Sequence, residues 1–287
     1  MKRPMCEEDL LSLVWIADPQ ISPDGSRVAF TKVWIDAQED EYRTQVWIAD
    51  MEGAPPRPLT AGVRDAQPRW SPDGSAIAFV RGSEPKKPGQ LCVLPMRGGE
   101  AVSLTRLEGG VTDPCWSPDG RRIAFLSTTN PTLDDPKREK PKHEPGRVIT
   151  RPVVRVDNEG FIDFDHRSHV WVIDAAGGEP RQLTAGKYAE SAPRWSPDGR
   201  AVWFVSDRRA EPWFGDEDSN LFAISPDRET PTEADGISPV VEFRGAILAY
   251  RAGAEGRIAM VAMLPTESPR SYEQTHLALA EEPWPCR

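Results

Sequence analysis

The chain has 287 residues, 38% of them hydrophobic, with ten Trp and nine Phe, which argues against a wholly disordered polymer and allows one or two ordinary domains. Its formal net charge of -10 gives no bulk attraction to phosphate backbones or anionic lipid, so neither nucleic acid nor a membrane is an expected partner. Four scattered cysteines with no C-x-x-C pair argue against a disulfide scaffold or a thiolate zinc site and for reduced thiols.

The chain opens with Glu7, Glu8 and Asp9 where a signal peptide needs an apolar run. No stretch approaches eighteen apolar residues, so a cytoplasmic protein is expected. The 29 Pro and 22 Gly fit short strands and frequent tight turns. One turn recurs four times: Ile21-Ser22-Pro23-Asp24-Gly25, Trp70-Ser71-Pro72-Asp73-Gly74, Trp116-Ser117-Pro118-Asp119-Gly120 and Trp195-Ser196-Pro197-Asp198-Gly199. Its glycines lie 49, 46 and 79 residues apart. The first two intervals are each one β-propeller blade, and the third is a blade plus an insertion of about thirty residues.

Chemistry explains the turn. Pro presets φ, Ser and Asp bond back to nearby backbone, and Gly tolerates positive φ. Beyond each turn, large apolar residues recur at period two: Val28 and Phe30, Ile77 and Phe79, Ile123 and Phe125, Val202 and Phe204. Ala29, Ala78 and Ala124 sit between them, with Trp203 the exception. This is a strand with one buried face and a second, close-packed one. A third strand is expected at Gln45–Ala49, Gln90–Leu94, His169–Ile173 and Asn220–Ile224. A fourth is expected around Pro58-Leu59-Thr60, Ser103-Leu104-Thr105 and Gln182-Leu183-Thr184. Two of these follow Gly-Gly-Glu turns at Gly98 and Gly177.

A faint fifth copy begins near Ile237, with Leu248, Ala249 and Tyr250 at the large-small-large offsets and a strand over Arg257–Met263. Residues 266–287, with Pro269, Pro283 and Pro285, show no strand pattern. The expected fold is therefore all-β, a propeller of four-stranded blades over 1–265 with four blades and a partial fifth, followed by an irregular tail. The insertion, about residues 127–167 within the third blade, carries Asp134 and Asp135 and then Lys137, Arg138, Lys140, Lys142, Arg147, Arg151 and Arg155. It reads as a solvated loop or hairpin.

Trp70, Asp73, Gly74, Trp116, Asp119, Gly120, Trp195, Asp198 and Gly199 are the repeat-defining structural residues. The Asp of the turn is adjacent to its Gly and no alternating oxygen ligands follow, so turn chemistry rather than a calcium site is expected. Catalytic, cofactor and metal residues are all expected to be absent. No G-x-S-x-G elbow occurs, and no dinucleotide or phosphate loop is present. His166 and His169 lie near Asp163 and Asp165 and resemble a metal or triad fragment, but structural roles are expected for both. The remaining histidines are His143 and His276.

The Ser-Pro-Asp-Gly blades resemble the PD40-type repeats shared by TolB and the prolyl oligopeptidase (S9) family. Arg147–Arg151, Asn158–Phe161, Arg167–Asp174, Gly177–Thr184 and Val205–Arg209 are similar to the acylaminoacyl-peptidase branch, over about residues 10–262. That resemblance implies a seven-bladed propeller capping an α/β-hydrolase domain, with catalysis in the second domain and the propeller filtering substrates by size. Too few blades for seven and no hydrolase domain are found here, so no catalytic residue carries over and the chain alone is expected to be inactive. One reading is the substrate-gating propeller portion of a cytoplasmic serine exopeptidase acting on short peptides. The other is a free-standing TolB-like propeller that docks proteins. Open blade edges are expected to favour self-association.

Overall fold

The computed structural model describes residues 4, 6–85, 87–135, 137, 155–156, 160–212, 218–242, 244–253, 257–264 and 274–280. The described chain is all-β apart from one 3₁₀ helix, Glu7–Ser12, and five antiparallel blade sheets follow in order. The first contains β1 (Val14–Ile21), β2 (Arg27–Asp36), β3 (Glu41–Asp50) and β4 (Arg57–Pro58). The second contains β5 (Asp65–Trp70), β6 (Ala76–Arg81), β7 (Gln90–Pro95) and β8 (Val102–Ser103).

The third sheet runs through β9 (Thr112–Trp116) and β10 (Arg122–Ser127). After a small hairpin of β11 (Arg155–Val156) and β12 (Gly160–Phe161), it resumes with β13 (His169–Asp174) and β14 (Arg181–Gln182). The fourth contains β15 (Glu190–Trp195), β16 (Val202–Ser206), β17 (Asn220–Ile224) and β18 (Ile237–Val241). The fifth is three-stranded: β19 (Ala246–Ala252), β20 (Ile258–Met263) and β21 (Thr275–Ala280). These are β-propeller blades. Among the described residues no helix is long and apolar enough to cross a membrane.

The four repeat turns close in the same way. Ser22 donates its hydroxyl to Asp24 Oδ1 at 2.6 Å, and its Oγ accepts the Arg27 amide at 2.9 Å. The Ser–Asp contact repeats at 2.6 Å in Ser71–Asp73, Ser117–Asp119 and Ser196–Asp198. Gly25, Gly74, Gly120 and Gly199 all hold φ near +70°, where a Cβ would be strained. The Ser hydroxyl bond, aided by the amide two residues beyond the Asp, pulls the carboxyls of Asp24 and Asp73 down to about 2 and lowers those of Asp119 and Asp198.

Two compact units divide the chain: Met1–Ile123 with Ile173–Glu179, and Ala124–Val172 with Pro180–Arg287. In the first, Ala29 and Ile48 of the first sheet cluster with Trp70 and Ile77 of the second. Val46 packs with Phe79 and Cys92. In the second, Trp203, Val205, Leu221 and Ala223 pack on Ile247, Tyr250, Ile258 and Met260. The period-two strands are buried on both faces, with Ile77, Ala78, Phe79, Ile123, Ala124 and Phe125 all fully buried. Val28 is only half-buried.

Three expectations need correction. The strand at Ile237 is β18, the fourth strand of the fourth blade, because Ile224 pairs with Ile237 across the β17–β18 hairpin. Leu248 is exposed rather than core. A bulge between Ile247 and Ala249 shifts the register, so Ile247 takes the inward position while Tyr250 stays buried. The tail is not wholly irregular: Thr275–Ala280 pairs along β20 from Met263↔Thr275 to Ile258↔Ala280. Its alternation was masked because Leu277 and Leu279 face outward, 82% and 56% exposed. The rest of the tail and most of the basic insertion lie outside the described residues.

Candidate functional site

Each of the first four blades begins with a strand broken by the same device. Asp18, Gln67, Asp113 and Ala192 have φ between +46° and +55°, and each is followed by proline: Pro19, Pro68, Pro114 and Pro193. The register slips at this point in β1, β5 and β15. Pro has no amide to lose, so it suits the unpaired position of a bulge. In the first unit the bulges are cross-linked. Arg69 pairs with Asp18 at 2.5 Å and Asp113 at 3.4 Å, while Gln67 Oε1 accepts the Asp113 amide at 2.8 Å. Trp70 and Trp116 donate their indole N–H to Gln20 and Arg69 carbonyls one blade back. Trp195 is buried at the corresponding place in the fourth blade. The repeat tryptophans thus sit at the ends of bulged strands, and the Asp-Gly pairs sit in the turns.

The second unit holds a buried polar cluster. Glu190, at the start of β15, is fully buried. Its Oε2 accepts from His169 Nδ1 at 2.8 Å and from the Thr184 hydroxyl at 2.8 Å, and its Oε1 accepts from Arg208 Nη2 at 2.5 Å. Thr184 Oγ1 in turn accepts the Val170 amide at 2.9 Å. The Arg208 guanidinium lies 5.2–5.4 Å from the rings of Tyr188, Phe204 and Phe222. Burial there lowers its pKa against the opposing pull of Glu190. The second blade carries a parallel pair, with fully buried Asp65 held by Arg81 in a two-point contact at 2.8 Å each. Sequence reasoning placed His169 as structural but missed Glu190 and Arg208.

Beside this cluster lies a half-open cavity of about 390 Å³, walled by Ile162, Phe164, Val205, Pro212 and Ile247, with Glu190 and Asp207 also in its lining. A second cavity of about 470 Å³ shares Phe164 and Arg167 with it and has a mixed wall, with Asn130, Asp165, Gln182 and Lys187 beside Pro131 and Pro231.

The arm that bounds both cavities is fastened by His166. Its Nδ1 meets Asp163 Oδ2 at 2.8 Å and its Nε2 meets Asp134 Oδ1 at 3.0 Å. Asn130 Nδ2 adds a bond to the Asp165 carbonyl at 2.7 Å. His166 and His169 therefore turn toward carboxylates; among the described residues no group of three His, Cys, Asp or Glu is placed to hold a metal ion. Partial burial by itself depresses the His166 pKa, but hydrogen bonds to Asp163 and Asp134 outweigh it and raise the value above the ordinary 6.5. A group raised on folding stabilises most below its unfolded value, and that contribution is lost as pH rises through the folded value. We expect the fastening at 163–166 to loosen as pH climbs above about 6.5. NMR titration of the His166 ring should give a midpoint above the free value, with amide exchange at Asp165 and His166 rising in step. A midpoint at or below the free value would refute the clasp.

No protein-family model matches the chain. It is 34% identical over 209 residues to a Bacillus subtilis (strain 168) protein named uncharacterized peptidase YuxL, a match spanning 71% of this chain and 31% of that protein. Pyrococcus horikoshii acylaminoacyl peptidase superposes with a TM-score of 0.64 at 17% identity, covering 96% of this chain and 40% of that one. TolB from Acinetobacter baumannii superposes with a TM-score of 0.50 at 15% identity, covering 93% and 65%. At such identities the two structural likenesses establish the fold alone.

Proposed function

We propose that this chain, a β-propeller similar to those of S9-like acylaminoacyl peptidases, serves as the substrate-admitting portion of a serine exopeptidase that acts on short peptides. The observation that carries the reading is the 34% identity with a protein named as a peptidase across 71% of the chain. The TolB-like alternative has support only from shared fold.

Chemistry is not assigned to the chain itself. The sequence has no G-x-S-x-G elbow, and His166 and His169 are engaged by carboxylates, so among the described residues neither is paired with a serine as a nucleophile's base would be. The purified chain should leave acetyl-alanine p-nitroanilide intact. Turnover abolished by a fluorophosphonate that labels a serine of this chain would overturn that assignment.

Gating is tested in a chimera in which this chain replaces the propeller of the Pyrococcus enzyme. Acetylated di- and tripeptide substrates should be cleaved, while peptides of about thirty residues are spared. Equal kcat/KM for both lengths would count decisively against gating.

A further inference from the structure

The half-open cavity of about 390 Å³ is within the roughly 300–1,000 Å³ range of small-ligand sites, and its wall chemistry narrows what it can take. Apolar surface comes from Ile162 and Phe164 on the returning arm, from Val205 on β16, from Pro212 and from Ile247 on β19. The carboxylates and hydroxyls in the wall already hold partners. Glu190 accepts from His169, Thr184 and Arg208. Asp207 is chelated by Arg209 through Nε at 2.9 and 3.1 Å and Nη2 at 2.5 Å. The hydroxyls of Ser206 and Ser191 donate to the carbonyls of Ala189 and Val205, at 2.9 and 3.4 Å. Ser219 Oγ accepts the Ile247 amide at 2.9 Å. The Arg167 guanidinium lies 5.4 Å from the Phe164 ring.

An incoming ammonium would lose hydration and find the Glu190 and Asp207 carboxylates already paired with Arg208 and Arg209. An apolar side chain loses no hydrogen bond and gains burial. The adjoining cavity of about 470 Å³ mixes Pro131, Phe164 and Pro231 with Asn130, Asp165, Gln182 and Lys187, so its wall is less uniformly apolar.

We propose that the cavity bounded by Ile162, Phe164, Val205 and Ile247 is a subsite for an uncharged, bulky apolar side chain of a peptide. The inference rests on the peptide-handling reading above and adds to it a side-chain class. A Leu or Phe side chain presented by an extended peptide enters past Ser191, which is exposed at the cavity wall.

The test is direct binding to the purified chain, measured by fluorescence anisotropy. Fluorescein-labelled Gly-Gly-Phe-Gly-Gly and its Leu analogue should bind at least about tenfold more tightly than the Ser and Lys analogues. Ser191→Trp, which fills the cavity from its exposed edge, should erase that preference. Ile162→Glu, on the arm, should do the same. Thermal midpoints confirm that each variant is folded, and Ser191→Trp alone decides if Ile162→Glu is not. Equal affinities for the Phe and Ser peptides, a preference for Lys, or discrimination that survives Ser191→Trp overturns the subsite. None of these results bears on gating by length, which the chimera decides separately.

Discussion

Glu190→Ala should destabilise the second unit by about 3–5 kcal/mol, the usual cost of breaking a buried ion pair from one side. The carboxylate is fully buried and satisfies three donors at once: His169, Thr184 and Arg208. Removing it leaves the Arg208 cation at 11% side-chain exposure among three aromatic rings, with its Nη1 donating to the Glu233 carbonyl. It also leaves a buried imidazole and hydroxyl with one partner fewer, each adding a desolvation cost. Glu190→Gln preserves the shape and one acceptor, so it should cost less than the alanine variant. Urea unfolding followed by tyrosine and tryptophan fluorescence gives the magnitude, and amide exchange at Val170 locates it, since that amide is tied to Glu190 through Thr184. An alanine variant within about 0.5 kcal/mol of the parent would show that the cluster contributes nothing net.

Phe125→Ala is expected to cost about 3–5 kcal/mol, as buried Phe truncations do when the site cannot collapse. Phe125 is fully buried at the centre of β10, with Ala124 and Leu126 on the other face buried too. A strand covered on both faces has no free side into which neighbours can relax. Phe79 and Phe204 hold the same place after their own turns and are equally buried. Truncating Leu248, by contrast, should change stability little, since the bulge at Ile247–Ala249 turns it outward. A denaturation midpoint for Phe125→Ala equal to that of the parent, or a larger loss for Leu248→Ala, would place the register of these strands in error.

Much of this architecture is written locally. Ser-Pro-Asp-Gly closes its own turn through contacts two to five residues apart, so four sequence copies suffice to locate four hairpins. The residues after each turn alternate at period two, which is the geometry of a strand and needs no tertiary information. The bulges were legible too: a proline stands two residues before each of Ile21, Trp70, Trp116 and Trp195, a signal that the turn motif beside it overshadowed.

Tertiary structure alone decided the rest. Ile237 looks like the start of a new repeat, yet it closes the fourth blade, because edge-strand membership depends on which neighbour offers open backbone groups. Leu277 and Leu279 sit in a segment without an apolar-inward pattern, and only pairing with β20 makes it a strand. The Glu190 cluster joins residues 6 to 21 positions from it in sequence, drawn from the start of β13, the loop after β14 and the loop after β16. No local rule marks a glutamate as buried. Its burial is permitted because packing delivers three donors to one carboxylate, and desolvation would otherwise forbid it.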